Sequence, residues 1–267
     1  MRNTRNRNND IFYLFSVQQV VMFKPPSRQT ILGELYNRLA ADIRFEESLK
    51  ACINCGTCTA ICPAAEFYNY DPRIIATTVQ SQDDEKIREL MSNDVIWYCG
   101  ECMSCKTRCP RGNAPGLLII ALRSLSQDMG FFTESEKGRQ QLAVKRTIGD
   151  QILASGYCVR PDMVDPAMHP EQGPVWDWEH KNLIPIMNKL GANYNGEGSG
   201  ALRKISQDDL DELQRIFEVT GGQERYDKIE EFSKEKAAEM GLEFGTDTNS
   251  EYFQHIYTAN NQKHNHE

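Results

Sequence analysis

A chain of 267 residues with 40% hydrophobic and 25% charged residues has an ordinary globular composition, long enough for one generous core or two small ones. Its 38 acidic and 30 basic residues leave a formal charge of -8, and the arginines are scattered, which excludes nucleic acid or an anionic membrane surface as the main partner. No stretch approaches the ~20 consecutive apolar residues of a spanning helix.

The first residues, "MRNTRNRNNDIFYLFSVQQVVMFKPP", set three arginines before the apolar run Ile11 to Phe15, as a secretory leader would. Ser16, Gln18 and Gln19 break that run and no A-x-A-like site follows, so a leader is not expected. The expected compartment is a reducing cytoplasm, where clustered cysteines serve metals or catalysis rather than disulfides. Residues 1–21 are rich in Asn and Arg and lack a helical period, which makes Met22 the expected native start. Residues 1–27 count as an N-terminal extension, partly disordered.

From residue 28 the pattern is helical. Ile31, Leu32, Leu35, Tyr36, Leu39, Ala40 and Ile43 predict one amphipathic helix leading to Cys52. Asp71 is placed to cap a helix starting at Pro72, and Ser81 with Asp84 resembles a capping box ahead of Ile87, Leu90 and Met91. "APGLLIIALRSLSQDMG" predicts a helix ending at Gly130, and Thr133 with Glu136 opens another that runs to Gly156. From 157 to 200 five prolines at irregular intervals predict a long loop with one short helix, Asn182 to Leu190. Two charged helices follow, one from Ser206 and one from Gln223, joined through Gly221 and Gly222. The final "NNQKHNHE" is expected to be disordered. These signals predict an all-α fold, divided at 28–156 and 157–267.

Eight of the nine cysteines fall in two runs, "CINCGTCTAICP" at 52–63 and "CGECMSCKTRCP" at 99–110, each spaced C-x2-C-x2-C-x3-C-P. Zinc also favours C-x2-C, but structural zinc takes two facing knuckles, whereas each run here adds a third cysteine and a fourth followed by proline. The spacing is that of bacterial ferredoxins, in which the fourth cysteine of one run ligates the cluster of the other. On that rule Cys52, Cys55, Cys58 and Cys109 bind one [4Fe-4S] cluster, and Cys99, Cys102, Cys105 and Cys62 bind a second. Gly56 and Thr57, and Gly100 and Ser104, are expected to let backbone N–H groups point at the sulfurs, while Pro63 and Pro110 turn the chain away. Eight ligands for two clusters leave no iron open to substrate, and no dinucleotide or phosphate loop or defensible acid–base pair is present. No catalytic residue is expected; the pattern is that of an electron wire.

These two runs, the connector ending "DVIWYCGECMSCKTRCPRG" and the following "LLIIAL" helix resemble the C subunit of heterodisulfide reductase across about residues 30–155. The resemblance implies an α-helical ferredoxin fold, the same eight ligands, and a role passing electrons between a flavin-containing A-type subunit and a B subunit with CCG motifs. Succinate dehydrogenase iron–sulfur subunits add a C-x4-C-x2-C run, but no cysteine precedes Cys52. Glycolate oxidase and glycerol-phosphate dehydrogenase subunits add CCG motifs, but this chain has no Cys-Cys pair. The long C-terminal region resembles the sulfur-oxidising heterodisulfide reductase-like complexes. A stand-alone ferredoxin, a ferredoxin-type carrier for another dehydrogenase, and a zinc-binding interaction module remain as alternatives.

Among the remaining residues, Cys158 is expected to be a buried small hydrophobe and the histidines show no metal spacing beyond His264 and His266. Lys106, Arg108 and Arg111 either steer an acidic partner or offset the negative thiolate cluster, or are ordinary surface charge. Trp176 and Trp178 lie on the proline-rich loop, to anchor a partner or to pack back. Narrow stripes at Leu210, Leu213 and Phe217 and at Tyr226, Ile229 and Phe232 predict a docking arm laid on another subunit, with a tail folded over its own ferredoxin domain as the alternative.

Overall fold

The computed structural model describes residues 33–169 and 172–258. The expectations for residues 1–32, Ile31 and Leu32 among them, and for the tail with His264 and His266 lie outside these. Among the described residues every regular element is helical.

The first layer is built around α8, Pro115–Asp128, whose "LLIIAL" stretch is the most apolar of the chain. Leu118, Ile119, Ala121 and Leu122 are buried, and around them close Leu35 and Leu39 of α1 (Glu34–Ala40) and Leu49 just after α2 (Phe45–Ser48). Ile75 and Val79 of α5 (Pro72–Gln80), Ile87 and Met91 of α6 (Asp84–Met91), and Ile96 of a 3-10 turn at Asp94–Tyr98 complete the core. Each such side chain contributes roughly 1.5–3 kcal/mol by leaving water, which is what orders these short helices.

Capping fixes their boundaries. Asp71 accepts from the N–H groups of Arg73 and Ile74 with Pro72 at the first position, as its sequence predicts. The cap of α6 is Asp83 rather than Ser81, whose hydroxyl instead donates to the Thr78 carbonyl at 2.7 Å. Asp84 reaches across to cap α1, accepting from Leu35 and Tyr36 at 3.1 and 2.9 Å. The predicted single helix to Lys50 breaks after Ala40. Arg44 turns to bond Asp42 and the Ser124 hydroxyl on α8, and that tertiary anchor swings Ile43 out to 95% exposure.

After Gly130 the chain forms a 3-10 turn at Phe131–Glu134 and then α9 (Glu136–Arg139), α10 (Gln141–Val144) and α11 (Asp150–Ser155), with a π-helical turn at Lys145–Gly149 between the last two. Ser135, not Thr133, caps α9 by accepting from Gly138, and Gly156 ends α11 in the left-handed region as predicted. α12 (Gly173–Lys181) and α13 (Leu183–Lys189) occupy the expected loop. The second matches its predicted span; the first does not follow from the composition and places both tryptophans on a helix. α14 (Gln207–Val219) is capped by Ser206, and α15 (Gly222–Met240) and α16 (Glu251–Thr258) follow.

The stripe on α15 is covered by this chain itself. Ile229 and Ala237 join Phe132, Leu142, Ala143, Tyr252, Phe253 and Ile256 in a second buried core, with Tyr226 and Phe232 packed at its edge. Arg146 grips Glu230 through two bonds of 3.0 and 2.6 Å while Lys145 reaches the same carboxylate at 2.9 Å. Gly149, within the π-helical turn, makes room for Tyr226: a Cβ there would stand 1.9 Å from the phenol oxygen. A sequence stripe says that a face is buried but not against what, so the expected docking arm does not describe α15.

Candidate metal centre

The two cysteine runs adopt the same local path. Asn54 and Glu101, at matching positions, have φ of 58° and 55°; Gly56 and Met103, again matching, have 80° and 58°. Left-handed residues cost a non-glycine side chain roughly 1–2 kcal/mol, so three in two short loops mark a path held by its surroundings. The path curls N–H groups toward sulfur: Asn54 donates to Cys52 Sγ at 3.5 Å and Glu101 to Cys99 Sγ at 3.4 Å. These are not the expected donors. Thr57 and Ser104 act through their hydroxyls, each 3.4 Å from the sulfur of Cys55 or Cys102, and Gly100 does not take a left-handed φ.

Helices then carry the third cysteines. α3 (Thr57–Ala60) holds Cys58 and α7 (Ser104–Arg108) holds Cys105, and these two helices pack against each other, bringing the runs together. Cys62 precedes Pro63, the first residue of α4 (Pro63–Phe67), and Cys109 leads into a turn closed by its carbonyl and the Gly112 N–H at 3.1 Å. Cys52, Cys55, Cys58 and Cys109 line one cavity, beside Arg73 and Arg111. Cys62, Cys99, Cys102 and Cys105 line another, beside Phe67, Tyr70 and Tyr98. Each cavity therefore takes three cysteines from one run and its fourth from the other.

The surroundings suit anionic sulfur. Hydrogen bonding from Thr57 holds the Cys55 thiol below its usual pKa, and Ser104 does the same for Cys102, whereas burial pushes Cys58 and Cys105 up. Cys105 has a compensating partner in the Gly116 N–H, 3.3 Å away in the first turn of α8, where the helix dipole also favours negative charge. A Cβ at Gly116 would stand 3.0 Å from Met103 Sδ, so glycine leaves that side chain its place against the helix start. The backbone of Cys52 is braced by Gln80, and that of Cys99 by Arg123, which donates to the Cys99 carbonyl at 2.7 Å and pairs with Glu101. Tyr70, Gln80, Gly116 and Arg123 carry no signal in the sequence, since only the fold brings them to the cysteines.

Among the described residues no three Cys, His, Asp or Glu side chains converge on a point that one metal ion could fill. Four thiols spread around a cavity, with N–H groups aimed at sulfur and the Thr57 and Ser104 hydroxyls in hydrogen-bond contact with it, are the donor set of a larger, sulfur-rich group. A [4Fe-4S] cluster fits that set. Cys158 lies outside both cavities and is exposed, not buried as expected. Lys106 pairs with Glu47 across the site, Arg111 lines a cavity, and Trp178 on α12 is 59% exposed.

Comparison with known proteins meets this geometry. The 4Fe-4S dicluster domain family matches residues 48–113, spanning both runs. The C subunit of the Ferredoxin:CoB-CoM heterodisulfide reductase of Methanosarcina acetivorans is 33% identical over 202 residues, 75% of this chain and 72% of the relative. The chain belongs to the heterodisulfide reductase C-subunit family. The second iron–sulfur C subunit of the CoB–CoM heterodisulfide reductase of Methanocaldococcus jannaschii is 27% identical over 190 residues, covering 71% of this chain and 81% of that one. The corresponding C subunit of Methanopyrus kandleri is 30% identical over 133 residues, 47% of this chain and 68% of its own length. As a C-family member with a dicluster domain, the chain is an iron–sulfur protein with the helical fold that its resemblance implies. The 202-residue match is longer than residues 1–156, so it enters the C-terminal region.

Proposed function

We propose that this chain is the two-cluster electron relay of a heterodisulfide reductase-type complex. Cys52, Cys55, Cys58 and Cys109 hold one [4Fe-4S] cluster, and Cys99, Cys102, Cys105 and Cys62 hold the other. The observation that carries this reading is the exchange of the fourth cysteine between two separate cavities. When bound, the clusters supply one-electron redox chemistry at fully ligated iron. The chain's own work is to fix the cavities relative to each other through α3 and α7, and to stabilise thiolate charge with the Asn54, Glu101 and Gly116 N–H groups.

The relay runs in the cytoplasm between a flavin-containing A-type subunit and a CCG-type B subunit that acts on thiols, disulfides or sulfane sulfur. The names of the relatives support a heterodisulfide reductase setting. The docking role foreseen for residues 157–267 falls to α12 and α13, where Val175, Trp178, Ile184 and Leu190 are exposed. Protein purified anaerobically should hold about eight irons with matching acid-labile sulfide and a visible absorbance that dithionite bleaches. Stoichiometric zinc in a colourless protein would refute the cluster reading. Failure to co-purify with flavin and CCG subunits from its source would leave a stand-alone carrier.

A further inference from the structure

Tyr70 sits between α4 and α5, its N–H bonded to the Tyr68 carbonyl at 2.8 Å and its neighbour Asp71 capping α5. The side chain is 4% exposed and stands edge-on to Tyr98, with ring centroids 6.5 Å apart at 89°. It lines the cavity of Cys62, Cys99, Cys102 and Cys105. Its hydroxyl is buried and meets no hydrogen-bond partner in the protein. An orphaned buried hydroxyl costs roughly 1–3 kcal/mol, and in native structures each such group calls for an explanation, a missing partner among them. Phenylalanine would fill the same ring space without that cost, so the position requires an account of the oxygen.

The available acceptor is sulfur. A neutral thiol accepts hydrogen bonds weakly, whereas a thiolate bound to a cluster is a strong acceptor for a buried hydroxyl. Cys99 directly follows Tyr98, whose ring Tyr70 meets edge-on, and it packs against the buried core that holds Tyr70, which singles it out among the four. We infer that Tyr70 donates its hydroxyl hydrogen bond to the Cys99 thiolate of the cluster in this cavity and thereby raises that cluster's reduction potential. The inference rests on the two-cluster reading above. One-electron reduction adds negative charge to the cluster and its thiolates, so a donor at Cys99 stabilises the reduced state more than the oxidised one. No electron or proton passes through Tyr70; it acts through Cys99 and keeps its own proton.

The test is a redox titration of the whole protein, purified anaerobically and followed by electron paramagnetic resonance. Tyr70→Phe should keep its iron and sulfide while one of the two midpoints falls. The expected shift is about tenfold in the reduced-to-oxidised ratio at fixed potential, about 59 mV for a one-electron couple. Tyr252→Phe, which removes another buried orphan hydroxyl but lines neither cavity, should leave both midpoints in place. Unchanged midpoints in fully loaded Tyr70→Phe overturn the inference. Should that variant lose a cluster, 3-fluorotyrosine placed at position 70 decides the matter: its more acidic hydroxyl should raise the same midpoint, and no movement overturns the inference. Wild-type protein lacking iron sinks the two-cluster reading itself, a result the metal analysis separates from a titration that fails to move.

Discussion

Ile229→Ala separates a C-terminal region that packs on its own chain from one that waits for a partner. Ile229 is 3% exposed in the second core, against side chains from the 3-10 turn, α10 and α16. The substitution removes three carbons, at about 0.8 kcal/mol each by transfer alone, and the cavity left behind raises the cost to about 2–5 kcal/mol. A loss of about 2 kcal/mol in local opening speeds amide exchange about 30-fold, since roughly 1.4 kcal/mol is a factor of ten. Hydrogen exchange read by mass spectrometry should therefore show peptides of α15 and α16 losing protection by at least that factor, while iron content stays at its wild-type level. If α15 kept its stripe for another subunit, the isolated protein would not notice the change. Protection within about twofold of wild type would refute cis packing.

Three further outcomes follow from the same contacts. Cys62→Ala and Cys109→Ala should each lose about half the iron, each from the cavity that draws its first three cysteines from the other run, whereas Cys158→Ala should keep all of it; iron analysis reads both. Asp71→Ala removes the cap of α5 together with a bond to Thr59 on α3, so denaturant unfolding should register a loss of about 1–2 kcal/mol. For Glu230, burial works to raise the carboxyl's pKa, but bonds from Arg146 and Lys145 outweigh it and hold it below its ordinary value of 4.5. A depressed folded pKa gives stability that is present above the unfolded value and lost as pH falls through the folded one. Glu230→Gln should thus speed α15 exchange near neutral pH, and its difference from wild type should close in acid; a pH-independent difference would contradict the ion-pair account.

The parts of this molecule legible in its sequence are those encoded by neighbours in the chain. The cysteine spacing, the Asp71–Pro72 start, the Ser206 cap and the Gly156 stop need only a few adjacent residues, and each appears where the spacing puts it. What stays hidden depends on contacts across the fold. Arg44 breaks the first predicted helix because Ser124 lies 80 residues away on α8. Asp84 looks like part of a capping box for its own helix but caps α1 instead, while Asp83 caps α6. Gly173 and Pro174 read as loop composition yet open α12, where a proline near the first turn is tolerated. At the site the cysteines are legible and their environment is not. A left-handed Met103 or an orphaned Tyr70 hydroxyl has no local signature, because each is defined by what the packed chain places beside it.

α8 joins the C-terminal region to the cysteines. The helix has 14 residues, a length of about 21 Å at 1.5 Å per residue. Its first turn meets the cysteines, through the Gly116 N–H bond to Cys105. Its last turn meets the second layer, through Asp128 and Arg225 at 3.1 Å. The C-terminal helices therefore brace the far end of the rod that positions the cavities. They leave the cavity walls uncovered: Ile53 at one cavity is 59% exposed and Phe67 at the other 77%. Apolar side chains held out at the mouths of both cavities cost solvation in the isolated chain, and that cost is recovered if each mouth is closed by another protein surface. The relay proposed above would use two such contacts, one for the donor and one for the acceptor. On that proposal the shared fourth cysteines tie the two cavities to each other and leave a separate face for each partner.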